Sequence, residues 1–218
     1  MEMSWLRGQC GRSSYMQPYK AIIFDWGGVC CREGEPFAST ALQTILKMNP
    51  AEIAAALRDV YFDYYRGKYT GEQFWRNVMT HFGLAESADI NPAALGAAYI
   101  ASYSIYPQVF DFIKKLQAQY QIGLLSNLTP EMRDHIRVAH NTAEFFQVEV
   151  YSCDPDVAQI KPEAKPYLVA LQKLGVEPFE AFFIDNSAKN VSGAEALGIK
   201  NLLFHDQNKL FRDMKSFL

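Results

Sequence analysis

Short, unbroken apolar runs that each stop at a polar residue constrain this chain most. Ala21-Ile22-Ile23-Phe24 stops at Asp25, Ile122-Gly123-Leu124-Leu125 at Ser126-Asn127, and Ala181-Phe182-Phe183-Ile184 at Asp185-Asn186. Val148-Glu149-Val150-Tyr151 and Asn201-Leu202-Leu203-Phe204 complete the set. Continuous rather than alternating hydrophobicity over such short runs suits strands buried on both faces of a parallel sheet. Helical patterns separate the runs. Val109, Phe110, Ile113 and Leu116 share one helix face. Thr129 and Pro130 open a helix over 131–140, Pro162 and Gly175 bracket one over 163–174, Gly198 stops one over 188–197, and 206–218 forms the last. This alternation predicts an α/β fold, a Rossmann-like three-layer core around a parallel sheet with right-handed crossovers.

Residues 33–104 break the alternation. They contain no convincing buried strand, but helical patterns near 37–48, 50–65, 71–82 and 92–102, punctuated by Asn49-Pro50, Gly67, Gly71, Gly83 and Asn91-Pro92. The expected division is an α/β core over 16–32 and 105–218 with a helical insert over 33–104. Residues 1–15 lack the apolar stretch of a signal peptide and are expected to be a disordered extension ahead of a natural start at Met16. The insert is rich in aromatics: Tyr61, Phe62, Tyr64, Tyr65, Tyr69, Phe74 and Trp75. These are expected to form a helical core of their own, with one or two lining a cleft. An insert placed after the first strand sits above the carboxyl ends of the sheet, where ligands bind in open α/β folds.

In a parallel sheet all carboxyl ends point the same way, so Asp25, Ser126, Asn127, Lys161, Asp185 and Asn186 converge on one crevice. The set suits phosphoryl transfer. A carboxylate attacks phosphorus to form an acyl phosphate, which splits hydrolysis into two easier steps. The remainder is positioning and neutralisation of the phosphoryl oxygens. Mg²⁺ held by carboxylates brings an anionic substrate to an anionic nucleophile. Lys161 adds a point charge, the Ser126 hydroxyl and loop N–H groups are donors, and Gly27 and Gly28 let backbone approach a phosphate.

Other classes are disfavoured. A formal charge of -3 supplies no basic field for nucleic acid. No run reaches the roughly 18 apolar residues of a membrane span. Cys10, Cys30, Cys31 and Cys153 form no CxxC pair, which predicts reduced thiols and a cytoplasmic protein. Redox sensitivity of Cys30 and Cys31, close to Asp25, is the minority alternative. His81, His135, His140 and His205 are scattered and form no ligand pair. Trp26 either walls the active site or packs beneath the insert. Arg66-Gly67-Lys68 reads as a solvated turn, with a substrate contact the lesser alternative.

FDWGGV at 24–29, LLSN at 124–127, IKPEAKPY at 160–167 and FFIDNSAKNVSGAEALGI at 182–199 together resemble the haloacid dehalogenase superfamily of hydrolases. The similarity is greatest to its sugar-phosphate phosphatase branch with a small helical cap, and covers about 20–205. The resemblance makes Asp25 the nucleophile and a Mg²⁺ ligand. It makes Ser126 and Asn127 phosphate ligands, Lys161 the lysine that pairs with nucleophile and phosphate, and 33–104 the cap. Asp185 and Asn186 take the two acidic metal-binding positions. Gly27 stands where the family usually has an Asp that gives its carbonyl to the metal and its carboxyl as general acid/base. The carbonyl remains and the carboxyl is lost. Asn186 stands where a carboxylate usually contacts the metal. Lys189, one helical step on, adds positive charge.

The leading expectation is therefore a Mg²⁺-dependent phosphomonoesterase acting on a small phosphorylated metabolite, slowed by Gly27 and Asn186. The alternatives are a catalytically impaired protein of the same fold that binds a phosphorylated ligand or partner, and a metal-free dehalogenase. The dehalogenase usually carries a bulky aromatic at the Gly27 position. A receiver-like phosphoacceptor domain fits poorly with so large an insert. The sequence names neither the substrate nor the oligomeric state.

Overall fold

β1 (Ala21–Phe24) is buried along its whole length. Ile22 and Phe24 join the apolar cluster on one face of the sheet, and Ala21 and Ile23 join the cluster on the other. That two-sided burial explains its unbroken apolar run. In this computed structural model, residues 19–33, 40–101 and 103–217 are described. The predicted extension over 1–15 and Cys10 lie outside them.

The chain continues through β2 (Cys31–Glu33), α1 (Thr40–Leu46), α2 (Pro50–Tyr65), α3 (Gly71–His81), α4 (Pro92–Ile100), β3 (Tyr103–Ile105) and α5 (Pro107–Leu116). Then follow β4 (Gln121–Ser126), α6 (Pro130–Ala139), β5 (Val148–Tyr151), α7 (Ala164–Leu174), β6 (Ala181–Asp185), α8 (Ala188–Ala196), β7 (Lys200–Leu203) and α9 (Gln207–Asp213). Five strands form one parallel sheet in the order β5-β4-β1-β6-β7. Val109, Phe110, Ile113 and Leu116 of α5 and Ile136 of α6 cover one face; Tyr167, Ala170, Leu171 and Leu174 of α7 and Ala194 of α8 cover the other. This is the three-layer α/β fold that the alternating runs predict. The chain moves outward on one side of β1 and then crosses to the other, so β1 stands at the point where the strand order reverses and a crevice opens.

The helix boundaries follow local chemistry. Asn49 and Glu52 form a capping box at α2 with Pro50 in the first turn, and Thr70 and Gln73 do the same at α3. Asn91 caps α4, Thr129 caps α6, and Gly175 ends α7 in the left-handed conformation.

Two findings differ from the sequence reading. First, β2 and β3 pair as an antiparallel ribbon, Cys31 with Ile105 and Glu33 with Tyr103. Strands of three residues carry neither an apolar run nor an alternation long enough to detect. Second, the insert's aromatics do not form a separate core. Tyr61, Tyr64, Phe74 and Trp75 belong to the same cluster as Ile22, Phe24 and Phe110 beside the sheet. Phe62 is the one of these aromatics that stays well exposed, at 44%.

In the turn Arg66-Gly67-Lys68, Gly67 and Lys68 are exposed as expected, while Arg66 is tied to the core. Arg66 Nη2 lies 2.6 Å from Glu163 Oε1, just beyond Lys161 in the chain. Ser152 Oγ donates to the Tyr65 carbonyl at 2.7 Å. Gly67, at φ +73°, lies so close to the core that an added Cβ would stand 2.4 Å from the Cys153 carbonyl oxygen. Gly83 is also left-handed, at φ +62°, but has open space around it. Gly67→Ala is expected to lower the unfolding free energy by about 2–4 kcal/mol, combining backbone strain with displacement of the Cys153 peptide. Gly83→Ala, with strain alone, is expected to cost about 1–2 kcal/mol. Urea denaturation of the two variants checks the difference, and equal losses would remove the contact at Cys153 from the account.

Candidate active site

Asp25 follows β1 directly, and its carboxylate is held by the next residue in its own turn, by the end of β4 and by the loop between β5 and α7. Trp26 N–H donates to Asp25 Oδ1 at 2.7 Å, Ser126 Oγ donates to the same oxygen at 2.7 Å, and Lys161 Nζ lies 2.8 Å from it. The lysine continues to Asp185 Oδ2 at 2.7 Å and to the Leu125 carbonyl at 2.9 Å. The strand register brings this about: Phe24 of β1 sits between Leu124 of β4 and Ile184 of β6, so the residues that follow emerge side by side.

The turn after Asp25 is tight. The Trp26 carbonyl accepts from Val29, Cys30 and Cys31 N–H groups, and Gly28 takes φ +75°. A Cβ on Gly28 would stand 2.0 Å from Asn186 Nδ2, so the turn leaves room for that amide. Trp26 does not wall an open site. Its ring is 1% exposed and packs against Tyr103, Phe110 and His140. Cys30 and Cys31 are also buried. Burial, reinforced by Cys31 and Asp25, pushes the Cys30 thiol well up, which keeps it protonated and disfavours redox chemistry there.

The sequence-predicted residues come together, with different individual surroundings. Ser126 faces Asp25. The Asn127 side chain pairs with the Lys161 backbone: Lys161 N–H donates to Asn127 Oδ1 at 2.8 Å and Asn127 Nδ2 donates to the Lys161 carbonyl at 3.1 Å. Gly27 is buried and bridges to Cys31. Asn186 and Lys189 are exposed. Asn190, which sequence reasoning passed over, reaches both oxygens of Asp185, at 3.2 and 3.0 Å, and Ser187 N–H adds a bond of 2.7 Å. Asn190 lies in the first turn of α8, and the helix opening just after Asp185 was the signal that could have found it.

Burial alone would push the Lys161 ammonium down, but Asp25 and Asp185 outweigh it, and its pKa lies above the ordinary lysine value. Two carboxylates against one ammonium leave this buried group one negative charge in excess. Among the described residues no cluster of three His, Cys, Asp or Glu side chains forms a metal cage. Around Asp25 lie the Asp185 carboxylate, joined to it through Lys161, and the Asn186 amide, which sits against Gly28. Hard oxygen donors with few carboxylates and one surplus negative charge fit Mg²⁺, which keeps much of its water and binds through one or two carboxylates plus a substrate phosphate.

A sequence pattern for haloacid dehalogenase-like hydrolases matches residues 19–198. The (S)-2-haloacid dehalogenase 1 of a Pseudomonas species is 30% identical over 133 residues, 61% of this chain and 57% of that protein. Phosphoglycolate phosphatase of Escherichia coli is 27% identical over 95 residues, 43% of this chain and 37% of that enzyme. The match thus spans only about half or less of these relatives' length. A HAD family enzyme of Bacteroides thetaiotaomicron superposes with a TM-score of 0.77 at 22% identity, over 90% of this chain and all of that one. The same enzyme has been solved with magnesium and inorganic phosphate, with a TM-score of 0.74 at 23% identity, over 89% of this chain and all of that one. This chain belongs to the haloacid dehalogenase-like hydrolases. Among its described residues no helix is long and apolar enough to cross a membrane.

The raised Lys161 pKa has a signed consequence. Its contribution to stability is fully present below the unfolded lysine pKa and is lost as pH rises through the higher folded value. Urea denaturation should therefore show an alkaline fall in wild-type stability that is flatter in Lys161→Met. At neutral pH the variant is expected to be less stable by about 3–5 kcal/mol, because two buried carboxylates lose their counter-charge.

Proposed function

We propose that this haloacid dehalogenase-like hydrolase is a Mg²⁺-dependent phosphomonoesterase acting on a small phosphorylated metabolite through an acyl phosphate on Asp25. The observation that carries this reading is the convergence of the Ser126 hydroxyl, the Trp26 N–H and the Lys161 ammonium on one oxygen of a buried carboxylate.

Those three donors orient the Asp25 carboxylate, which attacks phosphorus. The oxygen–phosphorus bond to the enzyme forms as the bond to the leaving alkoxide breaks. A water then attacks the same phosphorus, releases inorganic phosphate and restores the Asp25 carboxylate. Lys161 and the loop N–H groups near Ser126 balance charge on the phosphoryl oxygens. Asp25, the Gly27 carbonyl and Asn186 would hold Mg²⁺, with Asp185 contributing directly or through water, and the ion would supply further neutralisation of that charge. Gly27 has no carboxyl to protonate the leaving group, so solvent supplies the proton. General acid–base catalysis is typically worth about 10²–10⁴-fold, which makes a slow enzyme the expectation. The helical insert over 33–104 acts as the cap that shuts the site, held to the core by Arg66 and Glu163.

Two other readings have an observation each. Gly27 and Asn186 favour a weakly catalytic protein that binds a phosphorylated ligand. The Pseudomonas dehalogenase relative favours carbon–halogen cleavage, in which the same carboxylate attacks carbon. Against the latter, Gly27 offers no side chain to enclose a small haloacid, and the surplus negative charge beside Asp25 suits a cation.

Wild type is expected to hydrolyse p-nitrophenyl phosphate slowly and only with Mg²⁺, and Asp25→Asn to lower the rate by about 10³-fold or more. Equal rates would sink the phosphatase reading, and chloride release from 2-chloropropionate without metal would replace it with the dehalogenase. Asn186→Asp is expected to tighten Mg²⁺ binding by about tenfold in calorimetry, since it adds a charge at close range. Gly27→Asp is expected to raise turnover by about tenfold or more through the restored carboxyl.

A further inference from the structure

We propose that Asn127 is a positioning residue, whose side chain sets the backbone of Lys161 in register with Asp25 and Asp185, rather than a ligand whose side chain touches phosphate. The inference rests on the phosphatase reading for its kinetic consequence and on the geometry alone for the clamp itself.

Lys161 lies in the turn between β5 and α7, outside any strand or helix that would fix its peptide groups. Asn127 does that from across the crevice. Its Oδ1 accepts from Lys161 N–H at 2.8 Å, and its Nδ2 donates to the Lys161 carbonyl at 3.1 Å. The amide must take this orientation, because the backbone offers one donor and one acceptor and the flipped form would oppose like groups. With Oδ1 and one of the two Nδ2 hydrogens engaged by one residue, the amide is oriented along the Lys161 backbone.

The end of β4 thereby acts as a template with three consecutive grips. The Leu125 carbonyl accepts from Lys161 Nζ at 2.9 Å. Ser126 Oγ donates to Asp25 Oδ1 at 2.7 Å. Asn127 holds the other end of the same lysine by its main chain. Both ends of Lys161 and the nucleophile are thus referred to one short piece of backbone, itself locked between β1 and β5. A long, flexible lysine is in this way confined to the position from which it meets both carboxylates. Misplacement of such a group by about 1 Å costs about 10²-fold in rate.

The test combines crystal structures with a double-mutant cycle. In Asn127→Ala, Lys161 Nζ is expected to leave hydrogen-bond range of Asp25 Oδ1, beyond about 3.5 Å. With p-nitrophenyl phosphate and Mg²⁺, Asn127→Ala is expected to lower kcat by about 10- to 100-fold. If it acts only through the lysine, Asn127→Ala combined with Lys161→Ala should be no slower than Lys161→Ala alone, within about twofold. An unmoved lysine in the crystal overturns the proposal. So do additive losses in the cycle, which would mark Asn127 as an independent phosphate ligand. Should the alanine variant not fold, Asn127→Asp keeps the size, lacks the donor and opposes the Lys161 carbonyl, so it is expected to displace the lysine as well. If Asp25→Asn hydrolyses as fast as wild type, the phosphatase reading fails, and the position of Lys161 in the crystal still decides the clamp.

Discussion

A single ammonium sits between two buried carboxylates at the carboxyl end of the sheet, and much of the surrounding architecture serves to keep it there. Lys161 is 3% exposed, Asp25 7% and Asp185 fully buried. Burial of such charges is costly unless geometry and hydrogen bonding are nearly complete. Completeness here comes from several loops at once: the Leu125 carbonyl on the lysine, Ser126 and Trp26 on Asp25, Ser187 and Asn190 on Asp185. Each partner lies within a few residues of the end of a neighbouring strand, so the ion group depends on the parallel order of β4, β1 and β6. Placing the same residues on an antiparallel sheet would scatter them over both edges.

The surplus negative charge links this stability argument to function. A fully neutralised triad would have little electrostatic reason to attract a cation. Under the proposed phosphatase reading, one carboxylate too many would draw a divalent ion while the lysine keeps the group folded. Asn186 weakens that pull by one charge relative to an aspartate. It is also the side chain for which Gly28 leaves room. The tight turn after Asp25 and the loop after β6 are therefore shaped to each other, and changing either alters both.

Much of the core was legible in the sequence because its signals are local. The apolar runs at 21–24, 122–125 and 181–184 mark strands without any knowledge of their neighbours, and Thr129-Pro130 or Gly175 mark helix ends by their own side chains and backbone preferences. The convergence of Asp25, Ser126, Lys161 and Asp185 follows from parallel topology once the strands are placed. The remainder depends on contacts distant in the chain. Nothing near Arg66 announces Glu163, and nothing near Tyr65 announces Ser152. The ribbon of β2 and β3 escaped detection because three-residue strands leave no periodicity. The Asn127 amide reads as a phosphate ligand by position, and only its distances to Lys161 reveal how it is engaged. Asn190 was within reach of helical spacing, whereas Lys189, chosen for its charge, points to solvent.

The paired strands β2 and β3 have a consequence for how such a molecule varies. The chain leaves the sheet region along one strand and returns along the other, hydrogen-bonded side by side, so the two ends of the insert are fixed a strand's width apart whatever lies between them. Lengthening, shortening or replacing the intervening helices need not alter the register of β1 with β4 and β6. The helical insert and the parts that hold the ion group can therefore diverge at different rates, with a three-residue ribbon as the boundary between them.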